Sequence, residues 1–220
     1  MQNLPNFNSQ KLFQLAFIHR SYLNESKDAI ESNERLEFLG DSILSFVVSD
    51  HLYKAYPDFD EGILTNLRSL VVNTKSLAKL AKKLDFGSQL MLSRGEEDSG
   101  GRENESILAN TFEAVIGALF LDQGIDAVKT FLLEVLVPEI EKYVQKKVFK
   151  DPKSLLQEYV QARKQNSPVY KVIKEEGPAH AKEFTIGVFV QDNQVGEGHG
   201  KSKQEAEEKA AEQALEKLGK

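Results

Sequence analysis

Apolar residues recur every three or four positions at 12–17, 36–52, 64–72, 77–84, 107–121 and 128–143. That spacing lines up apolar side chains on one helix face, so helix after helix is predicted from residue 9 to about 145. The breaks fall at Tyr56-Pro57-Asp58, Asp85-Phe86-Gly87, Ser99-Gly100-Gly101 and Asp122-Gln123-Gly124, where turn chemistry favours them. Beyond a short polar stretch ending at Pro152 the pattern changes. A helix at 154–163 is followed by strand-like runs at 169–174, 183–191 and 194–198, with a hairpin turn at 191–194. A last helix starts at Ser202, whose hydroxyl and Glu205 make a capping-box pattern. It is expected to bury Ala206, Ala210, Ala211, Ala214, Leu215 and Leu218. The expected organisation is an all-α part at 1–146, a linker at 147–152, and an α+β part with the order α-β-β-β-α at 153–220.

Composition narrows the chemistry. Without cysteine, disulfides and thiolate metal sites are excluded, so any metal must sit on oxygen or imidazole ligands. The four histidines, His19, His51, His180 and His199, are scattered, which favours a carboxylate site for a hard cation. No basic region followed by an apolar stretch opens the chain, and the apolar run 107–121 is too short to span a bilayer. The expectation is a soluble, cytoplasmic protein that uses no membrane. Net charge is −6, with 17 basic against 22 acidic residues up to position 150 and 11 against 12 after it. Neither part is basic overall, so binding a polyanion would need clustered lysines, and cations to offset acid clusters.

Two helices carry the candidate chemistry. In the first, Glu34, Glu37 and Asp41 follow at steps of three and four, placing the carboxylates along one face amid Leu36, Phe38, Leu39 and Ile43. In the second, Glu113 is the one charged residue between Ile107 and Leu121. A helix apolar nearly all round is buried, and an unpaired buried carboxylate costs several kcal/mol, roughly, or takes up a proton. A divalent ion held by Glu37, Asp41 and Glu113, with a carbonyl oxygen from Asn110, would resolve both helices at once. The alternative left open by the pattern is that Glu113 pairs with a buried Arg or Lys while the other acids form a solvated face. A di-iron site fits less well, because neither helix has a Glu-x-x-His pair.

The segment Asn33-Glu-Arg-Leu-Glu-Phe-Leu-Gly-Asp-Ser42 resembles the signature of bacterial ribonuclease III. Phe17-Ile-His-Arg-Ser-Tyr22 before it, and Ser99-Gly-Gly-Arg-Glu-Asn-Glu-Ser-Ile-Leu-Ala109 with Phe112-Glu-Ala114 after it, extend the likeness over almost the whole chain. The resemblance implies a Mg²⁺-dependent endonuclease (Mn²⁺ able to substitute) with Glu37, Asp41, Asn110 and Glu113 as metal ligands. Glu34 and Glu61 would be supporting acids, Gly40 would allow close helix approach, and Phe38 would lie at the two-fold contact of a homodimer. Each subunit would cut one strand of double-stranded RNA, leaving 5′-phosphate and 3′-hydroxyl ends with short 3′ overhangs. Ribosomal and messenger RNA precursors are the substrates it implies. Asn110 departs from the family's usual Asp, removing a charge while keeping one carbonyl ligand. It is read as a natural variant; blunted cleavage, or a regulator that binds without cutting, are the other readings.

The C-terminal part resembles the double-stranded-RNA-binding domain, which recognises A-form shape across two minor grooves and the phosphates between them. By that resemblance Gln157 and Glu158 would meet one minor groove. The loop Gly177-Pro178-Ala179-His180 would reach a second. Lys201 and Lys203, at the start of the last helix, would meet phosphates. The family usually has another lysine at Gln204. An acidic helical protein-interaction domain fits the net charge but leaves the signature unexplained.

Overall fold

The computed structural model describes residues 4–26, 30–146, 149–177 and 182–219. The chain divides into two compact units, 1–149 and 150–220.

The first unit is built from helices, with an isolated parallel bridge between Ile18 and Met91 among its described residues. Ser9 caps α1 (Gln10–Ala16), and a 3-10 turn, Arg20–Asn24, leads on to α2 (Glu34–Ala55). Asp60 caps α3 (Glu61–Val72) and Asn73 caps α4 (Thr74–Lys83), each side chain accepting from an N–H that the helix leaves without a partner. The short helices α5 (Phe86–Gln89) and α6 (Arg94–Asp98) and a second 3-10 turn, Gly101–Glu103, precede α7 (Glu105–Gln123). Asn104 caps α7 by accepting from both Ser106 and Ile107, and α8 (Ile125–Gln145) follows with Pro138 inside it. The long helices lie where the apolar spacing predicts them. The short helices and 3-10 turns were not predicted, because four or five residues are too few to show a period.

The core explains why α7 is central. Eleven of its nineteen residues are buried, so it is wrapped by neighbours rather than packed along one stripe. Phe13, Phe17, Phe86, Phe112 and Phe131 run through this core as a chain of ring contacts 5.0 to 6.1 Å between centroids. Against α7 lies α2, and their backbones nearly touch. A Cβ on Gly40 would sit 1.8 Å from the Glu113 carbonyl oxygen, and one on Gly117 would sit 2.2 Å from that of Leu36. The close approach predicted for Gly40 is therefore a two-sided glycine contact.

The second unit has the predicted order: α9 (Pro152–Gln161), β1 (Val169–Glu176), β2 (Glu183–Val190), β3 (Asn193–Gly200) and α10 (Lys203–Lys217). The strands form an antiparallel sheet in the order β1-β2-β3. Gln191 and Asp192, both at positive φ (49° and 64°), turn the β2–β3 hairpin in the sense that matches strand twist. Leu156 and Val160 of α9 and Ala210, Ala211, Ala214 and Leu215 of α10 cover Val188 and Val190. Leu218 departs from the expectation: it lies just past the last helical residue, Lys217, as the C-cap of α10, and is 36% exposed. No helix among the described residues is long and apolar enough to cross a membrane.

The glycine contact predicts a sharp asymmetry. Gly40→Ala should lower unfolding free energy by about 3 kcal/mol or more, as overpacking against rigid backbone does. Gly95→Ala, where a Cβ meets open space, should change it by no more than about 1 kcal/mol. Urea unfolding of both variants checks this.

Candidate active site and RNA-binding face

Where α2 and α7 cross, a cleft of about 520 Å³ opens beside the signature segment. Glu34, Glu37 and Asp41 of α2 and Asn110 and Glu113 of α7 line it, with Phe38 at the same wall. Steps of three and four residues set Glu34, Glu37 and Asp41 along one face of α2, and a step of three sets Asn110 and Glu113 along one face of α7, so α2 offers three oxygen-bearing side chains and α7 two to one space.

Electrostatics in the cleft are dominated by like charge. Glu113 is partly buried, and burial first, then the charges of Asp41 and Glu37, push its pKa up to about 7. No lysine or arginine pairs with it among the described residues, so the alternative of a buried ion pair is not realised. Glu37 is raised too, by burial and then by Glu34, while a hydrogen bond donated by the Asn110 amide opposes the rise. Glu34 is better supplied, accepting from Ser32 Oγ at 2.8 Å and facing Arg20 at 3.5 Å. As placed, no three acid or imidazole groups among the described residues gather closely enough to hold an ion. Side-chain rotation would be needed to draw Glu37, Asp41 and Glu113 onto one.

One predicted residue falls outside this arrangement. Glu61 does not line the cleft; it is exposed at the start of α3 and accepts from Thr65 Oγ1. Phe38 is 79% exposed in the single chain rather than being core. Conversely, His19 and Arg20 line the cleft without having been assigned a role. Their only signal was membership of the block Phe17–Tyr22. Burial holds the His19 pKa below its ordinary value.

In the second unit Gln157 and Glu158 are exposed on α9, and both Glu158 oxygens lie 2.6 Å from Lys150 Nζ. Lys201 and Lys203 are exposed at the N-terminus of α10. There Ser202 Oγ accepts from Glu205 N–H, and the Glu205 carboxylate accepts from Lys201 N–H. The predicted capping box therefore forms with its return bond one residue earlier. Gln204 is exposed and donates to Glu208. Pro178 and His180 lie outside the described residues.

An acidic cleft on a helical unit, joined to an α-β-β-β-α unit with exposed lysines, defines the class: a nuclease carrying an RNA-binding domain. Residues 9–140 match the family described as ribonuclease-III-like, and residues 152–218 match the double-stranded RNA binding motif. Ribonuclease 3 of Lactococcus lactis subsp. lactis is 47% identical over 210 residues, covering 95% of this chain and 90% of that one. Ribonuclease 3 of Bacillus licheniformis is 47% identical over 215 residues, covering 97% and 86%. The crystal structure of the Campylobacter jejuni ribonuclease III nuclease domain superposes with a TM-score of 0.56 at 38% identity, covering 61% of this chain and 88% of that one. A further structure of that domain concerns flexibility in a region involved in dimer formation. Dicer from Pichia stipitis superposes with a TM-score of 0.51 at 28% identity, covering 97% and 96%. This chain belongs to the ribonuclease III family. It is an endoribonuclease of that type with double-stranded RNA as its partner, in a family of metal-dependent nucleases.

The raised Glu113 pKa sets a pH dependence. In the unfolded chain this acid ionises near 4.5, and in the folded one near 7. The folded state therefore binds the proton more tightly, and the contribution is complete below pH 4.5 and lost as pH rises through 7. In metal-free solution the stability difference between wild type and Glu113→Gln should shift against wild type over that interval and then level off. Urea midpoints measured against pH read it directly.

Proposed function

We propose that the cleft between α2 and α7 binds Mg²⁺, with Mn²⁺ able to replace it, and that duplex RNA is cut there. Glu37, Asp41 and Glu113 would hold the ion through carboxylate oxygens, and Asn110 through its amide oxygen, a donor set suited to a hard cation. The observation that carries this reading is Glu113, whose pKa is raised by burial and by the neighbouring acids Asp41 and Glu37, and which is the one charge in the stretch 107–121 of α7. Bound there, a divalent cation would act as a Lewis acid toward phosphoryl oxygens and ease the ionisation of water.

The chain's own part is to hold opposed acids still. Glu37 and Asp41 come from one helix and Glu113 from the other, so a cation would be clamped across the glycine crossing. Asn110, donating to Glu37, orients that carboxylate. Glu34 would support them from the cleft wall. Glu61 lies off the cleft in one chain, so its supporting role needs a second subunit to bring it alongside. Phe38, with Phe46 and Tyr53 exposed on the same helix, supports a homodimer through α2. Two symmetric sites meeting a helical duplex would make staggered cuts, with 5′-phosphate and 3′-hydroxyl ends and short 3′ overhangs. On the second unit, Gln157, Glu158, Lys201, Lys203 and Gln204, with Pro178 and His180, would track grooves and phosphates. The proposed setting is the cytoplasm, and the proposed substrates are ribosomal and messenger RNA precursors. A second reading, a regulator that binds duplex RNA without cutting, is favoured by Asn110, which supplies one charge fewer than an aspartate.

Incubation of the protein with labelled duplex RNA and Mg²⁺ separates the two: fragments support the nuclease, and a shifted but intact band supports the regulator. Glu113→Gln should lower kcat by about 100-fold or more, the scale on which charge-stabilising groups act. Asn110→Asp should lower the Mg²⁺ concentration needed for half-maximal rate about threefold to tenfold, through one added carboxylate ligand. Phe38→Ala should raise the dimer dissociation constant about tenfold or more, as loss of a central aromatic anchor does, read by analytical ultracentrifugation.

A further inference from the structure

The first 3-10 turn brings two nitrogen donors to the wall of the acidic cleft, and we propose that Arg20, with His19 beside it, holds a phosphate of the RNA strand next to the bond being cut. This role rests on the nuclease reading of the same cleft. Four carboxylates face that space, and a phosphodiester approaching them meets repulsion wherever no cation lies. Among the described residues lining the cleft, Arg20 is the single lysine or arginine. Its side chain is 72% exposed, and its contact with Glu34 is a long 3.5 Å made through one guanidinium nitrogen, Nη1. A planar fork of that kind matches two non-bridging phosphate oxygens at once.

Two further features distinguish Arg20 from an ordinary surface arginine. Its backbone is mounted rigidly on the elements that build the cleft. His19 N–H donates to the Met91 carbonyl, Met91 N–H to Phe17, and Asn33 N–H to Ile18, while the buried Asn33 side chain donates to Ala16. Asn33 is also the residue before α2, so Arg20 is held in fixed relation to Glu34 and Glu37. The second feature is the orientation of the neighbouring imidazole. His19 Nδ1 accepts from Ser21 N–H, and Ser21 Oγ, which itself accepts from Ser93 N–H, can turn its hydrogen toward the same nitrogen. The ring proton therefore sits on Nε2, which has no hydrogen-bond partner among the described residues. A charged fork and a neutral donor thus stand side by side on one turn.

The test uses the full chain and a labelled duplex RNA that it cuts in Mg²⁺. Arg20→Ala should raise KM about tenfold with kcat changed less than about threefold, the mark of lost binding rather than lost chemistry. Binding is measured in a Glu113→Gln background over a salt series. Removing Arg20 should make the slope of log affinity against log salt shallower by about 0.7–0.9, the release of one counterion. Arg20→Lys should restore the slope but only part of the affinity, and His19→Ala should weaken binding with the slope unchanged. A single neutral methylphosphonate walked along the strand should weaken wild type at one linkage beside the cut and leave Arg20→Ala unaffected at that linkage. An Arg20→Ala protein with wild-type KM and slope, or with the wild-type methylphosphonate pattern, overturns the assignment. Failure of wild type to cut duplex RNA at all would instead overturn the nuclease reading, with the salt slope still deciding Arg20.

Discussion

Two helix backbones are pressed together at Gly40 and Gly117, and most of what is distinctive in the first unit follows from that contact. With no Cβ on either side, α2 and α7 approach until the carbonyl of Glu113 lies where a side chain on residue 40 would begin. The acids flanking the contact, Glu37 and Asp41 on one helix and Glu113 on the other, are thereby committed to a shared space. Burial of α7 then withdraws the solvent that would soften their repulsion. The backbone contact keeps these acids at one cleft, and with the side chains turned as they are the charges of Asp41 and Glu37 still raise the Glu113 pKa. Relief has to come from a proton, from the Asn110 amide, or from a cation.

The acidic balance of the chain looks at first like an argument against a nucleic-acid partner. The structure shows why it is a weak one. Many lysines are engaged with neighbouring acids: Lys54 with Asp50, Lys142 with Glu139, Lys153 with Glu207. Net charge therefore counts pairs that largely cancel locally. Lys201 and Lys203 on the second unit and Arg20 at the cleft are among the basic residues that stay exposed. Electrostatic binding depends on where charge stands rather than on its sum.

Much of this was legible in the sequence, and the limits were physical. Long apolar-rich stretches marked α2, α7 and α8 because the spacing repeats over several turns, and the step from period 3.6 to alternation marked the second unit. Glu113 stood out as one acid on an apolar helix. Helix spacing put Glu37 and Asp41 on one face but left a solvated acidic face open, and it was the resemblance of Asn33–Ser42 to a known signature that made them companions of Glu113. The turn carrying His19 and Arg20 was invisible, since a 3-10 turn has no period and its position depends on hydrogen bonds to Met91 and Asn33, far away in sequence. Nor could spacing reveal that Asn110 spends its amide on Glu37, or that Glu61 stands apart from the cleft in a single chain. Leu218 was misplaced because the apolar stripe runs past the point where the helix stops.

The central claim is that a divalent cation takes over from a proton at Glu113. Titration calorimetry of Mg²⁺ into the protein at pH 7, repeated in buffers of different ionisation enthalpy, counts the protons released on binding. With Glu113 ionising near 7, binding should release about half a proton per cleft, since a metal ligand must be deprotonated. That release should vanish in Glu113→Gln. Binding with no proton release, or with the same release in the variant, would contradict the account.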